Sequence, residues 1–491
     1  MDNKPVLQKK LNPINVWAIA FGCIIGWGSF INPGKKFLPN SGVGGTAIAM
    51  ILGALVMIII AFSYAYMVPR YPKAGGEFTF TKESFGKIPA YICGWFLVAA
   101  YLTNVPMNST AIGLIVDGVD GSADILKFAF SYSIAGFEVY FGEIIFASII
   151  LILFAVLNMI GVKKAGFVQT VLTVLLVTSV FTLTIAAIFS SKTNIDNIAP
   201  IWGFDKTGAI AAATGGTYTS ISEFAKSGTT GVMSAILATF AIAPWAFVGF
   251  DTIPQVSEEF KFSYKKVSAI MIIAIAFGAF VYIANNTIAA AALSNWPELI
   301  INSDSTPWLL LAAAEHLLGV YGKILVAVAV SCAVLSGIMG FYMASSRLIF
   351  SMSRDGYLPK FFGKLDNKYG VPRNAIIFCL VISLCGPVLG REALGWFVDM
   401  SAIGASIGFG FTCLSTMVTL KHNGEKSVFV KVMAIIGAMF SGMFMVLQLV
   451  PIPGLSGVHF GKESYLMLVV WIVLGICFYV IKGKQFDKTN I

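Results

Sequence analysis

The chain has 491 residues, of which 57% are hydrophobic and only 12% charged, and a formal net charge of +9. A soluble domain carries about a quarter charged residues, so this composition excludes a soluble enzyme and describes a polytopic membrane protein. Residues 1–10 are polar and basic, and the first apolar segment has no small-residue cleavage site behind it, so it is expected to remain as a transmembrane helix.

Twelve apolar segments follow one another: residues 15–34, 45–68, 90–116, 142–160, 166–190, 234–257, 267–293, 322–350, 374–390, 393–420, 429–450 and 464–481. Most have the roughly 20 residues that a spanning helix needs. The first carries Gly22, Gly26, Gly28, Pro33 and Gly34, with Gly26 and Gly28 flanking Trp27. A break in a spanning helix is tolerated only where protein or a water-filled cavity covers the freed backbone groups. A glycine-interrupted first helix is therefore a candidate binding site with backbone ligands. The alternative is that Gly22 and Gly26 only let a neighbouring helix approach.

In segment three, Asn104 and Asn108 lie one turn apart beside Pro106, to line a cavity or to bond across helices. The longest outside connection, 191–233, reads as loop with one short helix near residues 209–213, or as a plain linker. Segment six is interrupted by Pro244, Gly249 and Pro254, and carries Asp251 inside an apolar run. An intramembrane carboxylate is costly and usually faces the bundle interior or water; the alternative for Asp251 is a helix end near the surface. Asp399, near the outer part of segment ten, is a second acidic candidate.

Segments one and six are both interrupted, five spans apart. Five is odd, so the second unit starts from the opposite side, as inverted repeats require. The expected fold is an all-α bundle of twelve transmembrane helices, a 5+5 inverted repeat plus two C-terminal helices, with helices one and six broken. Its divisions are a cytoplasmic N-terminus (1–14), the first repeat (15–190), an extracellular connection (191–233), the second repeat (234–420), helices eleven and twelve (421–481) and a cytoplasmic tail (482–491).

Lys and Arg fix the orientation. Alternate connections, counted from the N-terminus, hold 24 of them and the other side nine. The connection after segment eight alone is assigned Arg347, Arg354, Lys360, Lys364, Lys368 and Arg373. This bias puts both termini in the cytoplasm and explains the net charge without nucleic acid. All seven cysteines fall in apolar segments and read as small packing residues. No His has a ligand partner at helical spacing, so no metal site or cofactor is expected.

Four stretches carry a family resemblance. They are Ile24-Ile-Gly-Trp-Gly-Ser-Phe-Ile-Asn-Pro-Gly34, the loop from Tyr71-Pro-Lys-Ala-Gly-Gly-Glu77 to Gly86, Phe247-Val-Gly-Phe-Asp-Thr-Ile with Glu258 and Glu259, and the loop from Ser346 through Arg354-Asp-Gly to Asn374. Together they resemble the amino acid–polyamine–organocation permeases, transporters of the LeuT-like fold. The resemblance implies an amino acid or small amine bound at the bilayer midplane of a plasma or inner membrane. Backbone at Ile24, Gly26, Trp27 and Gly28 would hold its carboxylate, and carbonyls around Trp245, Ala246 and Val248 its ammonium. Trp245 aligns with a gating aromatic, and Asp251 with an acidic position just inward of it.

Two departures stand out. Many proton-coupled members carry a lysine in helix five, where Leu176 is placed here, and a small residue usually occupies the position of Trp27. Coupling is therefore open between a proton, with Asp251 and Asp399 as acceptors, and exchange or facilitated diffusion. A sodium site using Ser331 and Ser336 ranks behind both. The leading reading is a secondary transporter. The alternatives are an exchanger, a non-transporting sensor on the same fold, and, behind these, a membrane enzyme. No ATP-binding loop motif is present.

Overall fold

A computed structural model describes residues 6–120, 125–134, 137–205, 208, 231–302, 308–391, 393–452 and 459–486. The expected helix at 209–213 lies outside the described residues. Helix α1, Pro13–Ile24, starts where its sequence predicts a start. The Asn12 side chain accepts the Asn15 N–H at 2.9 Å, the Asn15 side chain caps the Asn12 N–H, and Pro13 occupies the first turn. Ile25 is already extended, at φ −96° and ψ 101°. After this break come α2 (Gly28–Asn32), a π turn (Pro33–Phe37) and α3 (Leu38–Met67).

Residues 28–67 form 40 residues of nearly continuous helix. At 1.5 Å per residue that is roughly 60 Å, about twice a bilayer's hydrocarbon thickness. Gly42, at φ +62°, divides it into the outer half of segment one and the whole of segment two. A Cβ there would lie 2.2 Å from the Ile201 carbonyl oxygen, so glycine is required on both counts.

The chain continues through α4 (Gly76–Phe85), α5 (Lys87–Asp120), a hairpin of β1 (Ser131–Ile134) and β2 (Phe137–Tyr140), α6 (Phe141–Met159) and α7 (Val162–Phe189). Segment six is three pieces, α8 (Val232–Phe240), α9 (Ala243–Ala246) and α10 (Thr252–Gln255). Then come α11 (Val267–Ala291), α12 (Trp296–Ile301), α13 (Leu309–Leu318), α14 (Val320–Arg354), α15 (Arg373–Leu384), α16 (Ala393–His422), α17 (Val428–Leu449) and α18 (Lys462–Phe486). Among the described residues, nine helices are long and apolar enough to cross a membrane. Segments one and six fall short because they are broken, and segment nine because it is short.

Burial is arranged for lipid. Ile149, Val174, Met439 and Val469 face outward, while Asn104, Asn108, Gln169, Asn285 and Arg347 are buried between helices. This is a multi-pass membrane protein. Two cysteines, Cys385 and Cys477, are exposed rather than packed in the core. Three elements were not legible in the sequence: α4, the hairpin and the pair α12–α13. In α4 the polar sequence misleads, because Glu77, Thr79 and Thr81 are buried along with Phe78 and Phe80.

The inner-end charges require a correction. Arg347 and Arg354, counted as connection residues, belong to α14 and are buried. Arg347 reaches Glu259 Oε1 from Nε (3.2 Å) and Nη2 (3.1 Å), and Arg354 pairs with both Glu258 oxygens at 2.6 and 3.0 Å. Glu258 also accepts the N–H groups of Ala74 (3.0 Å) and Leu7 (3.3 Å). The Lys10 and Leu11 N–H groups both donate to the Glu259 carbonyl at 2.8 Å. The N-terminal segment, the connection before α4, the end of segment six and α14 thus meet in one knot.

Removing one partner of a buried pair strands the other's charge, whereas replacing both can be neutral. Arg347→Met is therefore expected to destabilise the protein by about 3–5 kcal/mol, read as a lower unfolding midpoint in detergent. Arg347→Met with Glu259→Met should recover most of that loss. A single variant as stable as wild type would show that the pair does not hold the inner end.

Candidate functional site

The two interrupted segments meet at their breaks. Gly249, at φ +144°, lays the turn between α9 and α10 against the end of α1. A Cβ there would lie 2.6 Å from the Ile24 nitrogen and 2.8 Å from the Ala20 carbonyl oxygen. Across the breaks the Trp27 and Trp245 rings stand 6.1 Å apart, tilted by 52°. A Cβ on Gly28 would come within 2.4 Å of the Trp245 ring, and one on Gly26 within 3.3 Å of Asn108 Oδ1. Gly22 faces elsewhere, with Gln169 of α7 and Ser336 of α14 pressed against it. So Gly26 and Gly28 stand at the break, while Gly22 serves close helix packing.

A small cavity of about 10 Å³, room for one water, lies between these elements. Cys23, Ile24, Gly26, Trp27, Asn104, Met107, Asn108, Trp245, Tyr282 and Phe341 line it. Trp27 and Trp245 also wall a second small cavity, with Asn32, Lys35, Lys36 and Val398 among its other residues. The two indoles therefore divide the path between the cavities. No Asp, Glu, Lys, Arg or His is among the inner cavity's lining residues. Ala246 and Val248 are buried nearby but do not line it.

Its polar edge is made of neutral groups. Asn104 Nδ2 donates to Ser401 Oγ at 2.7 Å, and Asn108 Nδ2 to the Asn104 carbonyl at 2.8 Å. Asn104 thus both lines the cavity and bonds across helices. Asn108 Oδ1 and Trp27 Nε1 are buried without a partner. Ser29 Oγ donates to the Gly26 carbonyl at 3.0 Å, and the Tyr282 hydroxyl to the Ile24 carbonyl at 3.3 Å. Tyr282, Met107 and Phe341 lie on regular helices and carried no sequence signal.

Asp251 does not line this cavity. Fully buried, its Oδ1 accepts the Gly249 N–H at 2.7 Å and its Oδ2 the Tyr101 hydroxyl at 2.9 Å. The Tyr101 hydroxyl also lies 3.3 Å from Glu77 Oε1, which accepts from the Tyr64 hydroxyl at 2.7 Å. Gln255 Nε2 donates to Glu77 Oε2 at 2.6 Å. Sequence reading missed this role for Glu77, because a carboxylate in a charged connection reads as solvated. The signal was Gly75-Gly76, whose positive φ values of 100° and 41° turn α4 back into the bundle.

Asp399 stands apart from Asp251 and accepts Ser464 Oγ at 2.6 Å. Ser336 Oγ donates to the carbonyls of Gly22 (3.2 Å) and Ala333 (2.9 Å), and Ser331 is half-buried on the same helix. On α7, Leu176 is buried, and Gln169 Nε2 and Thr173 Oγ1 both reach the Ala18 carbonyl, at 3.0 and 3.2 Å.

Comparison with known proteins places this geometry. The family model described as amino acid permease matches residues 11–482. The chain is 23% identical over 499 residues to the methylthioribose transporter of Bacillus subtilis (strain 168), covering 99% of this chain and 95% of that one. It is also 23% identical to the branched-chain amino acid permease BcaP of the same organism, over 99% of this chain and 95% of the relative. With the human large neutral amino acids transporter small subunit 2 it shares 26% identity over 77% of this chain and 64% of the relative.

The close approach at Gly28 generates a prediction. Gly28→Ala already puts a methyl group into the Trp245 ring, and Gly28→Leu and Gly26→Leu fill the break. Both leucine variants should insert into the membrane yet lose ligand-dependent thermal stabilisation. If both bind as wild type does, the glycines serve packing and the site is elsewhere.

Proposed function

Because this chain belongs to the amino acid permease family, we propose that it is a secondary transporter moving an amino acid or related small amine across the membrane by alternating access. The observation that carries the reading is the small cavity between two interrupted segments, walled outward by Trp27 and Trp245. In this reading twelve spans form a 5+5 inverted repeat plus two helices in a plasma or inner membrane, with both termini cytoplasmic. Backbone N–H groups at Gly26, Trp27 and Gly28, next to Ile24, take the substrate carboxylate, since helix starts leave N–H groups unpaired and favour anions. Carbonyls near Trp245, Ala246 and Val248 take the ammonium. One zwitterion answers both.

The substrate's side chain is proposed to be neutral and small. The lining offers it no charged partner, and burying an unpaired charge is prohibitive. Trp27 takes volume where the family usually has a small residue. The relatives' names point both ways: three name branched-chain amino acids, large neutral amino acids and methylthioribose, and another names cationic amino acids, so the neutral reading rests on the lining alone. Trp245 is the proposed gate.

A thermal-shift screen over amino acids and amines tests the substrate class. A ligand at 100 times its dissociation constant stabilises by roughly 2.7 kcal/mol. Small neutral amino acids should raise the midpoint, and lysine, arginine and glutamate should not. A response to charged amino acids alone would refute the neutral-substrate reading. Uptake into protein-containing vesicles under an inward proton gradient, an inward sodium gradient, or internal substrate alone separates symport from exchange. Binding without uptake in any condition would favour a sensor. A reporter fused after Ile491 should read as cytoplasmic.

A further inference from the structure

The Tyr101 hydroxyl has one hydrogen and three acceptors around it: Asp251 Oδ2 at 2.9 Å, the Asp251 carbonyl at 3.2 Å and Glu77 Oε1 at 3.3 Å. With both carboxylates ionised, it can donate to only one, and its lone pairs then face the other. Two negative charges would also be buried together, because Glu77 and Asp251 are both fully buried. Like charges sharing a dry site cannot both persist.

Among the described residues, no Lys, Arg or His forms an ion pair with either carboxylate. The titratable and polar groups near the pair are Tyr64 from α3, Cys93 and Tyr101 from α5, Cys23 from α1 and Gln255 from α10, with Thr81, Thr252 and Thr412 behind Cys93, Cys23 and Tyr64. The inner-end cations have carboxylates of their own: Arg347 pairs with Glu259, Arg354 with Glu258 and Lys82 with Asp355.

One added proton completes the chain. On Glu77 Oε1 it donates to the Tyr101 oxygen, Tyr101 donates to Asp251 Oδ2, and Tyr64 still donates to Glu77. Gln255 is fully buried, with its amide nitrogen on Glu77 and its amide oxygen without any partner. Glu77 lies on α4, outside the spanning helices, where burial and then the Asp251 carboxylate push its carboxyl above the usual carboxylate range.

Resting on the transporter reading, we propose that Glu77 and Asp251, bridged by the Tyr101 hydroxyl, form one proton site that carries the coupling proton on the cytoplasmic side of the substrate cavity. The site holds one proton and one negative charge. In transfer the Glu77 O–H bond breaks as the Tyr101 oxygen takes that proton, and Tyr101 passes its own to Asp251. Nothing else is consumed. Asp251 and Gln255 sit on the inner part of segment six, beyond the Phe247–Asp251 turn, while Glu77 and Tyr101 sit on α4 and α5. Opening the inner end parts the two carboxylates, admits water and lets the proton leave to the cytoplasm. Proton binding therefore favours the inward-closed form.

The test uses the full chain in two assays. A carboxyl raised in the folded state stabilises the fold while protonated, and that advantage is lost as pH rises through its folded pKa. The wild-type unfolding midpoint should therefore fall as pH rises above the ordinary carboxylate range, and Glu77→Gln should flatten that fall. In vesicles, a labelled mixture of neutral amino acids should accumulate under an inward proton gradient in wild type. Glu77→Gln should lose that accumulation, and its exchange against preloaded amino acids should no longer vary with pH. Asp251→Asn carries the same expectations should Glu77→Gln fail to fold. Gradient-driven accumulation retained in either variant would overturn the proposal, as would an unaltered pH slope of the midpoint. A wild-type chain that transports nothing, yet whose slope flattens in Glu77→Gln, would confirm the proton site and refute the transporter reading instead.

Discussion

Lipid offers no hydrogen bonds, so two helices broken within a bundle must have their loose ends covered by protein. That constraint organises the molecule. The break in segment one is covered by the turn of segment six, which Gly249 brings against Ile24, and by neutral side chains of α5 and α11. Ser29, Asn285 and Tyr282 bond to backbone at the break, with Asn285 Nδ2 on the Ser29 carbonyl at 3.0 Å. The covering is incomplete where the cavity lies. There Trp27 and Trp245 close the outer side with aromatic surface, and Asn108 keeps an unpaired acceptor. In the proposed function this site takes the main-chain groups of a substrate, and the two indoles limit its size.

The end of segment six is held by charge. Glu258 and Glu259 end segment six and are held by Arg354 and Arg347 of α14 and by backbone N–H groups of three other stretches. Asp251 and these glutamates share one short stretch of chain, residues 251–259. Trp245 and the paired Glu258 and Glu259 thus belong to one broken stretch of chain.

Helix placement was legible because spanning helices need long apolar runs, and nine of the described helices are long and apolar enough to cross a membrane. The breaks were legible because glycine and proline announce them. The charged connections were not. A count of Lys and Arg treats each as solvated, whereas Arg347 is fully buried and Arg354 nearly so. Glu77 was missed for the same reason, since folding back of a polar stretch depends on partners distant in sequence, Tyr64, Tyr101 and Gln255. Asp251 was expected to face the cavity. It faces Tyr101 instead, because the Gly249–Asp251 turn fixes its Oδ1 on a backbone N–H.

The neutrality of the α1–α7 contact bears on where an ion can act. The Ala18 carbonyl receives an amide and a hydroxyl from Gln169 and Thr173, and the Gly22 carbonyl receives the Ser336 hydroxyl. None of these donors titrates, and Leu176, three residues beyond Thr173 on the same face of α7, cannot carry charge. The contact therefore has the same strength at every physiological pH. A proton can change the balance between conformations only where protonation changes an interaction. Beneath the substrate cavity that place is the paired carboxylates of α4 and segment six, where burial without a cation makes a proton the cheapest neutraliser.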